Sequence, residues 1–80
     1  MHYVYIPRSI RFPDQKYIGY TSDLQARVGD HNAGKSPHTA KYTPWELQFY
    51  VAFPDKYRAL DFEAYLKSHS GKAFTKKRLI

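Results

Sequence analysis

The sequence predicts an α+β domain, a small three-stranded antiparallel sheet flanked by helices in the order β-β-α-β-α-α, in one unit spanning residues 1–80. Three observations carry this reading. Two short tyrosine-bearing runs, YVYI and KYIGY, follow one another near the N-terminus; a long stretch, WELQFYVAF, alternates apolar and polar residues; and a segment with helical spacing, PDKYRALDFEAYLKSHS, follows it.

The elements follow in order. Tyr3 to Ile6 is β-branched and aromatic, as strands prefer, and Pro7 with Arg11 to Asp14 punctuates it as an edge or loop. Lys16 to Tyr20 reads as the second strand of an antiparallel hairpin with a longish connection. In TSDLQARVGDHN, Ser22 is placed to cap a helix with Asp23 in its first turn, and Leu24 and Val28 share a face four residues apart. Asn32 to Pro44 is rich in turn formers and reads as a loop. Along Trp45 to Phe53, Trp45, Leu47, Phe49, Val51 and Phe53 point one way, and Glu46, Gln48 and Tyr50 the other. Asp55 caps the next helix, whose Ala59, Leu60, Phe62 and Leu66 form an apolar stripe. Ser70 is positioned to cap a last short helix ending in the basic cluster Lys76 to Arg78.

Composition bounds the function. A chain of 80 residues buries only roughly 60% of its unfolded surface, so the core is thin. There is no cysteine, hence no disulfide framework and no thiolate zinc site, which fits a reducing compartment. Neither a signal-peptide pattern nor a run near the ~20 apolar residues of a membrane span occurs, and the expectation is a cytoplasmic protein with no membrane partner. Lys and Arg number 13 against 7 acids, beside 8 Tyr, 5 Phe and 1 Trp. That balance attracts a phosphate backbone without specifying a sequence, and it equally serves solubility.

Periodicity indicates which side chains can meet. Tyr3 and Tyr5 share a strand face, as do Tyr17 and Gly19, so pairing on that face makes Tyr5 and Tyr17 neighbours. Gly19, having no side chain, is expected to leave open space beside Tyr17. Arg27 and His31 lie four apart on the first helix, adjoining its apolar side. Glu63 falls within the apolar stripe of the long helix, where a carboxylate must be paired, hydrogen-bonded or metal-bound. Packing explains each feature too: tyrosine pairs stabilise hairpins, Arg27 can pair with Asp23, His31 can oppose the helix dipole, and Glu63 can pair with Arg27 or Lys67.

Taken together, YVYI, KYIGYTSDLQARVGDHN, TPWELQFYVAF and ALDFEAYLK resemble the GIY-YIG nuclease domain, in particular short stand-alone bacterial members related to the catalytic domains of homing endonucleases and of the excision-repair nuclease. The likeness runs from Tyr3 to about Leu79. The second motif is Tyr17-Ile18-Gly19. The first reads Tyr3-Val4-Tyr5, departing from the family name at two letters while keeping the tyrosine.

The resemblance implies a DNA endonuclease that uses one divalent metal, Mg²⁺ or Mn²⁺, held by a single glutamate at Glu63. A lone carboxylate with waters and phosphate oxygens suits a hard cation. It implies that Tyr5 orients or deprotonates the attacking water, that Tyr17 is the second hydroxyl, and that Arg27 neutralises charge on the phosphoryl oxygens. It gives His31 a hydrogen bond to Tyr5 or a share in relaying its proton. Some relatives carry a lysine just after the second motif. Here that position is Tyr20, so electrostatic help falls to Lys67 or Lys41, and Gly19, Tyr20, Lys41 and Lys67 are the candidate substrate contacts, with His38 a loop residue facing substrate or solvent. The implied partner is DNA, whether single-stranded, duplex or branched, met by a monomer in repair, recombination or processing, with any sequence specificity coming from a partner protein. Two other readings stand beside this one: a degenerate module that binds nucleic acid without cutting, and a small RNA-binding protein stacking bases on Tyr3, Tyr20, Tyr42 or Tyr50.

Overall fold

A computed structural model describes residues 1–80. The chain runs β1 (His2–Ser9), β2 (Gly19–Thr21), α1 (Leu24–Asn32), α2 (Pro37–Ala40), β3 (Trp45–Phe53), α3 (Lys56–Lys67), α4 (His69–Phe74) and a terminal π-helical turn (Thr75–Leu79). The three strands form one antiparallel sheet in the order β2-β1-β3, the α+β architecture that the sequence predicts. No helix is long and apolar enough to cross a membrane.

β1 is the central strand, paired along both edges, and side chains on both of its faces are buried. Val4 and Ile6 point to one face and join Ala59 and Leu66 of α3 in the buried core, with Phe49, Val51, Phe53 and Phe62 packed around them. Burial of each of Val4, Ile6 and Leu66 contributes about 1.5–3 kcal/mol. Tyr5, one residue out of phase, points to the opposite face and is nonetheless only 1% exposed. That second buried face holds the polar site.

Several local expectations are corrected. Pro7 does not end the strand at an edge. It lies inside the central strand, where the β1–β3 register shifts between Ile6 and Pro7, an irregularity that accommodates a residue without an N–H. The β2 ladder is Gly19–Thr21 rather than Lys16–Tyr20. Lys16 makes one isolated bridge to Arg8, and Tyr17 stands between bridge and ladder. Asp23, not Ser22, caps α1, its carboxylate accepting from Ala26 N at 3.1 Å. Ser68, not Ser70, caps α4 by accepting from Gly71 N at 3.1 Å. The segment between α1 and β3, expected as pure loop, contains α2. Asp55 caps α3 as expected, accepting from Tyr57 N at 2.9 Å.

The loops are tied by polar side chains that the fold buries. Ser9, fully buried, donates to Tyr42 O at 2.6 Å and accepts from Phe12 N at 3.0 Å, holding the β1–β2 connection against the segment before β3. Asn32, the last residue of α1, clamps the start of β3: Oδ1 accepts from Trp45 N at 2.6 Å and Nδ2 donates to Trp45 O at 3.2 Å. The Trp45 indole N–H donates to Thr39 O at 2.9 Å, which locks α2 to the same corner.

Candidate active site

Tyr5 lies directly opposite Gly19 in the β1–β2 ladder, and Tyr17 approaches from just before β2. The two hydroxyls are 3.4 Å apart and the rings meet edge to face at 5.9 Å. On the other side of Tyr5, its hydroxyl lies 3.2 Å from His31 Nε2. His31 is 3% exposed, and its Nδ1 lies 2.9 Å from the Thr39 hydroxyl, itself 3.4 Å from Ser36 O. A line of polar groups therefore runs Tyr17, Tyr5, His31, Thr39, Ser36, reaching from the sheet edge to α2. Tyr17 is packed by Trp45 at 5.3 Å and by the His31 ring at 4.9 Å, both edge to face.

Gly19 plays a different part from the one expected. It does not leave open space for a ligand, because the Tyr5 ring fills that space: a Cβ at position 19 would lie 2.7 Å from both Cζ and Oη of Tyr5. The glycine is what allows the buried tyrosine to reach His31.

Arg27, one turn ahead of His31 on α1, is exposed and stands beside Tyr5. Interaction with the Tyr5 hydroxyl, and further with Tyr17 and Asp30, holds its guanidinium above the ordinary arginine value. Burial pushes the Tyr17 phenol well above its usual value, the Tyr5 contact adds to this, and Arg27 only partly offsets it. His31 is shifted below 6.5, by burial first and by Arg27 second, with Asp30 opposing. At neutral pH the centre thus holds a protonated Tyr17, a neutral imidazole and a fixed guanidinium. Tyr17, Arg27, His31, Thr39 and Trp45 line a cavity of about 310 Å³, which His38 also borders.

Glu63 stands apart from this group. It shares no hydrogen bond or ion pair with Tyr5, Tyr17, Arg27 or His31. Its Oε2 pairs with Lys67 Nζ at 3.2 Å one turn along α3, the side chains being 19% and 56% exposed, and Oε1 has no protein partner. The stripe position that the sequence indicates therefore carries a paired carboxylate, on the sheet face opposite Tyr5. No group of three or more His, Cys, Asp or Glu side chains converges in the fold. The chain thus offers a metal one carboxylate with one free oxygen, a donor set that fits a hard, largely hydrated divalent cation shared with phosphate oxygens.

The other expected contacts disperse. Tyr20 sits on the core face, its ring stacked on His2 and its hydroxyl 2.8 Å from His2 Nδ1, so it turns away from Tyr5. Lys41 lies over the Tyr42 ring at 5.3 Å rather than in the cavity. Lys67, besides pairing with Glu63, lines a separate groove that Tyr17 also borders. Three contributors escaped the sequence reading. Thr39 orients His31, and Asn32 and Trp45 hold the wall behind Tyr17. None has a spacing signal, because each acts through a contact between separate elements.

The family model for the GIY-YIG catalytic domain matches residues 1–78. The chain belongs to the GIY-YIG family. This GIY-YIG protein is similar to UPF0213 proteins, whose name assigns no activity. It is 46% identical over 52 residues to the UPF0213 protein of Lacticaseibacillus paracasei, a match covering 64% of this chain and 58% of that protein. With the UPF0213 protein of Haloquadratum walsbyi it shares 38% identity over 71 residues, 86% of this chain and 76% of the relative. The match to the Lacticaseibacillus protein thus spans less than two thirds of that relative. The solution NMR structure of the UPF0213 protein from Bacillus halodurans aligns with a TM-score of 0.56 at 34% identity, over 98% of this chain and 85% of that one. Membership puts the chain in a nuclease superfamily with the family's α+β fold.

Proposed function

We propose that this GIY-YIG protein is a divalent-metal-dependent DNA endonuclease that hydrolyses phosphodiester bonds beside Tyr17, which borders both the cavity of Arg27 and His31, backed by the buried Tyr5, and the groove lined by Lys67, the partner of Glu63. The observation that carries the reading is the polar line running from Tyr17 and Tyr5 through a buried, neutral imidazole. One assignment of protons satisfies every member: Tyr17 donates to Tyr5, Tyr5 to His31 Nε2, His31 Nδ1–H to Thr39, and Thr39 to Ser36 O.

In that arrangement Tyr5 works as a relay. As water attacks phosphorus, its proton passes to the Tyr5 oxygen while the Tyr5 proton moves to His31 Nε2, so no free phenolate need exist at neutral pH. The P–O bond to the leaving oxygen then breaks, and that oxygen takes a proton from solvent. Tyr17, held protonated by its surroundings, donates rather than accepts. Arg27 opposes the negative charge that builds on the phosphoryl oxygens, its fork of donors suited to that geometry. Glu63 would hold the metal with its free oxygen, and Lys67 would swing away from it. The Lys67 end of the pair is 56% exposed, so the ammonium can turn out to solvent while the half-buried carboxylate stays in place. When bound, a divalent cation neutralises phosphoryl charge and acidifies a coordinated water. Cutting of this kind, used in repair, recombination or processing of DNA, draws any sequence preference from a partner protein.

The test is direct. Purified protein with Mn²⁺ or Mg²⁺ is expected to nick end-labelled DNA, and EDTA to stop it; a panel of single-stranded, duplex and forked oligonucleotides ranks the substrates. The second reading, a nucleic-acid-binding module without cutting, is favoured by one observation, the closure of Glu63 onto Lys67. Binding to the same panel with no cutting in either metal would establish it instead.

A further inference from the structure

On the far side of Tyr17 from the His31 cavity, a larger groove of about 750 Å³ lies between the β1–β2 connection and the C-terminal helices. Five cations line it: Arg8 on β1, Lys16 ahead of β2, Lys67 at the end of α3, Lys72 on α4 and Lys76 in the terminal π-turn. Asp14 is the one acid among them. Arg8 is paired with Glu46 and Lys67 with Glu63, whereas Lys16, Lys72 and Lys76 have no acidic partner. Cations gathered around a concavity repel one another, and an anionic ligand relieves that cost. Ile18, half-buried, and Ile80, 43% exposed, supply apolar surface between them, with the buried Ile6 beneath.

The C-terminal segment is seated rather than trailing. The Thr75 hydroxyl, buried, donates to Gly71 O at 2.9 Å, and Ile80 N donates to Thr75 O at 3.0 Å. This seating brings Lys76 and Ile80 to a groove whose other wall comes from residues 8–18. The groove is also continuous with the candidate site, since Lys16 and Tyr17 border both cavities and Lys67 touches Glu63.

We propose that this groove binds one unpaired nucleic-acid strand, the stretch flanking the phosphate at Tyr17, with phosphates along the lysine rim and sugars and bases on the isoleucine floor. Charge complementarity sets the class of ligand. The apolar floor selects the unpaired form, because a duplex turns its bases inward and would leave that surface without a partner. The direction of the strand toward Tyr17 rests on the nuclease reading; binding itself does not.

Fluorescence anisotropy of a labelled oligothymidylate, read over a series of salt concentrations in a Glu63→Gln background that prevents cutting, tests this. Lys72→Gln/Lys76→Gln is expected to weaken binding on the order of tenfold and to flatten the slope of log K against log salt by about 1.4, two contacts at roughly 0.7 each. Lys72→Arg/Lys76→Arg is expected to bind like the parent. Lys56→Gln/Arg58→Gln, which removes equal charge outside the groove, is expected to leave binding nearly unchanged. The proposal is overturned if the groove variant binds like the parent, if the outside variant loses as much, or if a duplex of the same length binds more tightly through the same lysines. Cutting by the parent in Mn²⁺ is scored separately: groove-dependent binding without cutting overturns the nuclease reading alone, and cutting with groove-independent binding overturns this proposal alone.

Discussion

Gly19 faces Tyr5 across the β1–β2 ladder so closely that a single added methyl would meet the phenol at 2.7 Å. Gly19→Ala is therefore expected to push the Tyr5 ring off His31. Overpacking of this kind costs about 1–3 kcal/mol, so the variant should melt earlier, and any cutting should fall further than the melting shift explains. A variant as active and as stable as the parent would show that the ring has room to yield.

His31 receives its orientation from Thr39, whose hydroxyl is 2.9 Å from Nδ1. Thr39→Val keeps the shape and removes that partner, leaving a buried imidazole nitrogen unsatisfied at a cost of about 1–3 kcal/mol. The pH response follows from the lowered pKa of His31. Between 6.5 and that lower folded value the unfolded chain binds more protons, so His31 contributes stability that is fully present above 6.5 and lost as pH falls through the folded value. Cutting, which needs neutral His31 as acceptor, is expected to decline over the same acid limb. His31→Gln should remove the limb from melting curves recorded across pH; a limb unchanged in that variant would assign it to another group.

Arg27 is exposed, so its replacement should shift stability by no more than about 0.5 kcal/mol. Its effect on cutting is expected to be roughly 10²–10³-fold, since a positioned donor to the phosphoryl oxygens is lost. Arg27→Lys should restore little of this, because an ammonium cannot reproduce the fork. Single-turnover cleavage rates measure it, and full activity in Arg27→Ala would remove the residue from the chemistry.

Glu63→Gln is expected to abolish metal-dependent cutting while leaving the melting temperature close to the parent's, because the substitution keeps the size and shape of the side chain and breaks only the single ion pair with Lys67. Lys67→Gln frees the carboxylate and should lower the Mn²⁺ concentration needed for half-maximal cutting. Cutting by Glu63→Gln at the parental rate would place the metal, or the whole chemistry, elsewhere.

Much of this protein is legible in its residue order. The alternation from Trp45 to Phe53 marks β3 at its observed bounds, and Asp55 marks the start of α3. The period-2 spacing of Tyr5 and Tyr17 along two adjacent runs points to their contact, although Tyr17 stands just before β2, and the four-residue step from Arg27 to His31 puts both beside it. These features are local or depend only on period, which the chain carries from one residue to the next.

Position across the sheet was decided by the tertiary structure. Pro7 lies within the central strand because a register shift absorbs its missing N–H. Gly19 is filled by Tyr5 because the ladder sets those two residues, rather than Tyr5 and Tyr17, directly opposite. Lys76 lines the same groove as Lys16 because a buried threonine seats the C-terminal turn. Glu63 carries the right residue type on the right stripe, yet α3 packs on the sheet face opposite Tyr5 and hands the carboxylate to Lys67. Residue order specifies which side of an element a group occupies; which elements then face one another follows from burying Val4, Ile6, Ala59 and Leu66 together, a sum over distant contacts that no short stretch of sequence contains.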